Sequence, residues 1–176
     1  MNIIIEQSKK QALDLNILKA HLRIEHTHED EYLNSIINMA TEILENSIEK
    51  PILKKKYRYI CNCGKFVSPW RIVLPVREVR EIISARKLQH PKNDKDVKFS
   101  VETSYDTTTL ITNWLACPLE IQYSAGMVGN SKDVPKGLQF AILQIAKNIY
   151  ECSEEDVLES KYVKHVINAH RSLVVD

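Results

Sequence analysis

The sequence runs to 176 residues, 44% hydrophobic and 27% charged, with a formal net charge of +1. That length suits one domain with a sizeable core, and the composition argues against disorder over most of the chain. Near-neutral charge gives no global pull toward nucleic acid or an anionic membrane, and no apolar run approaches the ~18 residues of a membrane span.

Residues 1–12 read as a loose arm or an edge strand. Their short apolar run precedes its positive charges, the reverse of a secretory signal, so export is not expected. Asp14 is the expected N-cap of a first helix over about 15–22, with Leu13 before the cap and Leu18 beyond it as a hydrophobic staple. Arg23 to His28 then turn the chain. Thr27 is the expected cap of a second helix, whose first turn carries Glu29, Asp30 and Glu31 against the positive end of the helix dipole. Leu33, Ile37, Ala40, Leu44 and Ile48 recur at helical spacing until Pro51 stops them.

Residues 52–124 change character. Strands are expected over Lys54 to Ile60, Trp70 to Leu74 and Val79 to Leu88, with a turn at His90 to Asp94 and weaker strands near Val97–Val101 and Thr108–Ile111. Leu119, Ile121 and Tyr123 alternate with Glu120, Gln122 and Ser124, the pattern of a strand with one buried face. Gly126 and Gly129 break it. Asp133 and Pro135 then suit a helix start, and Leu138, Ala141, Ile142, Ile145, Ala146 and Ile149 form one apolar face. Ser153, followed by Glu154, Glu155 and Asp156, is the expected cap of a last helix carrying Leu158, Tyr162, His165, Val166 and Ala169.

The expected fold class is α+β, mainly α: a small helical bundle with an antiparallel β insert between the second and third helices. It is read as one domain over 1–176. Residues 13–50 are helical, 52–124 the β insert, 133–151 the closing helix and 153–173 the C-terminal helix.

Motifs of chemistry are sparse. His21, His26 and His28 lie close in sequence but lack a convergent partner set for zinc. Cys61 and Cys63 form C-x-C, not C-x-x-C, and with Cys117 and Cys152 are expected to be reduced thiols in a cytosolic setting. His165 and His170 are five apart and do not share a helical face. G-x-S-x-G and the phosphate-binding glycine patterns are absent. No metal, cofactor or catalytic residue is therefore assigned. Lys54, Lys55, Lys56 and Arg58, flanked by Tyr57 and Tyr59, could follow a DNA backbone or could be the solvated face of an edge strand.

Three stretches in this order resemble the head–tail connector (adaptor, head-completion) proteins of long-tailed bacteriophages. They are LNILKAHLRI with HTHEDEYLNSII after it, ATEILENSIEKPIL, and LEIQYSAGMVGNSKDVPKGLQFAILQIAKNIYE. In the last, Tyr123, Ala125, Gly126, Val134 and Pro135 occupy the places of the family's "Y.AG" loop and "VP" pair. The likeness covers about residues 13–151, and the chain departs from it in a longer β insert around His90–Thr109 and in the CNCG turn.

The resemblance implies a non-enzymatic assembly protein without cofactor, located at the head–tail junction of a virion and assembled in the bacterial cytoplasm. It implies a ring of about twelve copies beneath the portal, which continues the channel for double-stranded DNA without reading its sequence. The implied partners are further copies, the portal and the next head–tail joining protein, with no membrane partner. Leu158, Tyr162, His165 and Val166 are the expected subunit or portal contacts, and Lys54, Lys55, Lys56 and Arg58 the expected DNA-facing residues. A small nucleic-acid-binding module built on Lys54–Arg58, or a metal or thiol enzyme, is the alternative.

Overall fold

The computed structural model describes residues 2–6, 10–61, 69–88, 97–104, 107–113 and 118–171. The chain divides into two compact units. One holds residues 9–53 and 127–176, the other residues 1–8 and 54–126.

The first unit is helical, with α1 (Leu15–Leu22), α2 (Asp30–Ile48), α3 (Lys136–Tyr150) and α4 (Lys161–His170). Asp14 caps α1, its carboxylate accepting the Asn16 N–H at 2.8 Å, and Leu13 and Leu18 are both buried as a staple requires. Helix α2 buries Leu33, Ile36, Ile37, Ala40, Leu44 and Ile48. Helix α3 is apolar on more than one side, burying Leu138, Ala141, Ile142, Leu143, Ile145 and Ala146, and it packs against the other three helices. Each fully buried Leu or Ile contributes about 1.5–3 kcal/mol, so α2 and α3 are the elements this unit least tolerates losing.

Where the chain leaves this unit and returns to it, two short segments run side by side. The N–H groups of Met127 and Val128 donate to the carbonyls of Pro51 and Ile52, both at 2.9 Å. Glu45, buried near the end of α2, accepts the Ile52 N–H at 2.8 Å. One carboxylate thus fixes the exit angle after the left-handed residue Glu49.

The second unit is all β among its described residues. Its strands are β1 (Asn2–Glu6), β2 (Lys55–Cys61), β3 (Trp70–Val73), β4 (Val79–Lys87), β5 (Ser100–Ser104), β6 (Thr107–Thr112) and β7 (Leu119–Ala125). They form two antiparallel sheets, in the orders β1-β2-β7-β4 and β3-β6-β5. Tyr57, Ala85, Leu119, Ile121, Tyr123 and Ala125 of the first sheet share one apolar cluster with Ile72 and Leu110 of the second. Tyr57 and Tyr123, cross-strand partners, stack with ring centroids 5.5 Å apart. Gly126 ends β7 at φ 150°, a conformation closed to side chains, with its N–H donating to Glu78 and its carbonyl accepting from Arg80.

This architecture corrects the expectation of a mainly helical bundle carrying a β insert. Seven strands and four α-helices are present among the described residues, and the strands enclose a core of their own. The β content was underestimated because its alternation is weak. β5 is exposed at all five residues, and β4 carries two register shifts and one fully buried residue, Ala85.

Three helix starts also differ from expectation. α2 begins at Asp30 after Glu29, with Thr27 contributing only its carbonyl to the Asp30 N–H. Asp133 closes a 3-10 turn (Ser131–Asp133), and α3 follows Pro135 without a side-chain cap. Ser153 does not open the last helix. Its hydroxyl bonds the Glu155 N–H in a local turn after Cys152, which has φ 49°, and residues 151–156 are exposed. Only where Val163, Val166 and Ile167 supply a buried face does α4 form, capped by Ser160. The weak strand expected near Val97–Val101 starts later, at Ser100. The His90 turn and Cys63 lie outside the described residues.

Candidate interaction surfaces

The helical unit presents an aromatic pair. With Val163, Val166 and Ile167 turned inward, α4 leaves Tyr162 and His165 on its outer side. Tyr162 is 51% exposed and meets Phe140 of α3, 40% exposed, edge to face with centroids 4.7 Å apart. Of the four residues expected to make contacts, Val166 is buried in its own unit. Leu158, in the 3-10 turn Val157–Glu159, is half-buried against the same core. Tyr162 and His165 remain available. Phe140 was missed; its signal was an aromatic on the polar side of α3, one turn after Lys136.

The basic run sits on β2, which is an internal strand between β1 and β7. The edge-strand reading is therefore wrong. Tyr57 points into the core, while Lys56 and Arg58 share the opposite face. There Lys56 pairs with Glu6 at 2.6 Å, and Arg58 donates through Nε to Glu120, also at 2.6 Å. Lys54 is exposed and Lys55 half-buried. The positive charge of this run is thus partly met by its own sheet.

A cleft of about 850 Å³ opens in the helical unit where α1 and α3 begin. Lys10, Lys132 and Lys136 line it together with Leu15, Ile17, Gln139 and the carboxylates of Asp14 and Asp133. Lys10 Nζ donates to Asn130 at 2.5 Å, and Gln139 donates to the Val134 carbonyl at 2.8 Å. Since α3 has no side-chain cap, the positive end of its dipole adds to that of the lysines.

Among the described residues no group of three or more His, Cys, Asp or Glu side chains is placed to hold a metal ion. His26 and His28 have ring centroids 5.8 Å apart, and His21 is exposed. Cys61 and Tyr59 share one face of β2. Burial pushes the Cys61 thiol up, against a hydrogen bond from Tyr59 that lowers it, and burial likewise raises Tyr59. On the helical unit Tyr150 donates its hydroxyl to Glu29 at 2.9 Å, and that bond, more than burial, raises its pKa. No helix among the described residues is long and apolar enough to cross a membrane.

The sequence profile of the phage gp6-like head-tail connector protein family matches residues 12–87. Over that span, less than half of the chain, the sequence is similar to that family. The match takes in α1, α2 and β2 to β4 and carries the first two motifs noted in the sequence. No curated protein matches the chain. Solved structures are similar over its whole length. One is a chain in the neck of the empty gene transfer agent particle, reconstructed with C6 symmetry, at TM-score 0.78 and 17% identity, covering 100% of this chain and 97% of that chain. Chains from the virion of the native particle and from its neck, reconstructed with C12 symmetry, both give TM-score 0.79 at the same identity and coverage. At that identity the likeness establishes the fold.

Proposed function

We propose that this chain is a head–tail connector, a structural, non-catalytic assembly protein that forms a ring between the portal and the tail of a phage-like particle. The observation that supports this reading is the match over this chain's whole length, β unit and helical unit alike, to chains in solved neck structures. The C6 and C12 symmetry of those necks fits a ring of about twelve copies. Such a ring continues the channel for double-stranded DNA, contacting it without sequence preference, and presents a surface to the next joining protein. Its place is the head–tail junction of the virion, reached after assembly in the bacterial cytoplasm.

Tyr162 and His165, with Phe140 beside them, form the surface we assign to portal or subunit contact. An exposed aromatic pair supplies a rigid apolar anchor of the kind that dominates interfaces. Exposed Lys54 is the better-placed member of the basic run for a DNA-facing role, since Lys56 and Arg58 are engaged within the sheet.

The test is deletion of the gene from the particle that encodes it. Filled heads without tails, rescued by the wild-type chain, are expected; tailed particles from the deletion would refute the reading. Light scattering of the purified chain with and without its portal then reports the copy number.

A further inference from the structure

A ring of identical copies needs two different surfaces that fit each other, because each copy meets its neighbours head to tail. The helical unit carries such a pair at the two ends of α3. At the start lies the cleft lined by Lys10, Lys132 and Lys136, walled by Leu15 and the 42% exposed Ile17. Its own carboxylates are engaged, Asp14 with the Asn16 N–H and Asp133 with the Asn130 amide. At the end of α3 lies an exposed acidic turn with Glu151, Glu154, Glu155 and Asp156 within six residues, of which Asp156 accepts the Leu158 N–H at 3.0 Å. Nearby cations are partly committed: Lys147 lies 3.9 Å from Glu151, and Lys164 bonds Glu159 at 2.6 Å. Lys161 also lies on α4, one turn beyond the acidic residues.

Fifteen helical residues at ~1.5 Å each hold the two ends ~22 Å apart, so one copy cannot close on itself. We propose that the acidic turn 151–156 of one copy docks in the lysine-lined cleft of the next. This inference rests on the ring reading and names its contact. The occupant is a second copy of this chain, identified by opposite charge at opposite ends of a rigid helix. The uncapped start of α3 adds its dipole to the attraction for carboxylates.

The experiment is a charge swap. One variant carries Lys132→Glu and Lys136→Glu, the other Glu154→Lys and Glu155→Lys, all at surface positions, with folding checked by circular dichroism. Sedimentation over a concentration series at low ionic strength reads self-association. The wild-type chain is expected to assemble, and each variant alone to assemble at least about tenfold more weakly. Mixed one to one, the variants are expected to assemble again, since every junction then pairs opposite charges. High salt is expected to weaken the wild-type assembly.

A wild-type chain that stays monomeric, variants that assemble unaided, or a mixture that stays apart would each overturn the proposal. Loss of portal recruitment with self-association intact would also overturn it, assigning the acidic turn to the portal instead. Rescue of tailed particles by both charge variants with intact rings would remove this contact and leave the connector reading standing. Failure of the wild-type chain to rescue tails would remove the connector reading itself.

Discussion

Glu45 is the side chain whose removal reports most directly on how the helical unit is held. Its carboxylate accepts the Ile52 N–H at 2.8 Å, while its own carbonyl accepts from Lys50 at 3.2 Å. Ile52 is fully buried, so truncation of the acceptor leaves a backbone donor with no access to water. A hydrogen bond to a charged group contributes about 1.5–3 kcal/mol, and an unmade buried donor costs about 1–3 kcal/mol. Glu45→Ala is therefore expected to destabilise by about 2–3 kcal/mol, which lowers the melting temperature by about 4–12 °C in a chain of this size. Glu45→Gln keeps an acceptor oxygen at the same reach and is expected to lose only about 1 kcal/mol. Urea unfolding followed at the helix band of the circular dichroism spectrum measures both. An Ala variant within about 0.5 kcal/mol of wild type, or a Gln variant as damaged as Ala, would refute the account.

Further outcomes follow from other parts of the molecule. Gly126→Ala places a side chain at φ 150° and is expected to cost about 1–3 kcal/mol in urea; an unchanged midpoint would show that β7 can end otherwise. The Tyr150–Glu29 bond raises the folded-state pKa above the ordinary 10.0. Its contribution is thus present below the unfolded pKa and lost as pH rises through the higher folded one. Ultraviolet titration of tyrosinate is expected to lose a late-titrating group in Tyr150→Phe, and an unaltered curve would discount the bond. The raised and half-buried Cys61 thiol is expected to alkylate more slowly at neutral pH than exposed Cys152, and peptide mapping by mass spectrometry showing equal labelling would contradict this. Tyr162→Ser is expected to weaken assembly while leaving the melting temperature within about 2 °C of wild type, because the ring is half-exposed. Leu158→Ser, packed against the core, is expected to lower stability as well. Equal assembly by both variants would remove the aromatic pair from the interface.

Much of the helical unit is legible in the sequence. The bounds of α1, its Asp14 cap, the stripe of α2 and the apolar face of α3 follow from local spacing, since a helix satisfies its backbone within itself. Its ends are less legible. Thr27, Asp133 and Ser153 all have cap chemistry, yet the chain starts its helices where a buried face begins. The sheets are harder still. β5 shows no buried residue, and β2 looks like an edge strand until β1 is seen paired on its outer side. A strand's partners lie far away in sequence, so its place in a sheet is a property of the whole fold.

The candidate surfaces divide in the same way. Three motifs in order resemble the head–tail connector family, and the sequence marks no catalytic residue. Which of Leu158, Tyr162, His165 and Val166 face outward was not fixed by their helical spacing, because α4 begins at Lys161 and turns Val166 inward. The pairing of Arg58 with Glu120 and of Lys56 with Glu6 joins residues from separate strands. The meeting of Lys10 with Lys132 and Lys136 in one cleft brings together residues more than a hundred positions apart. Local periodicity determined the helices. Long-range packing decided which charges are met, which side chains are buried and which surfaces remain for a partner.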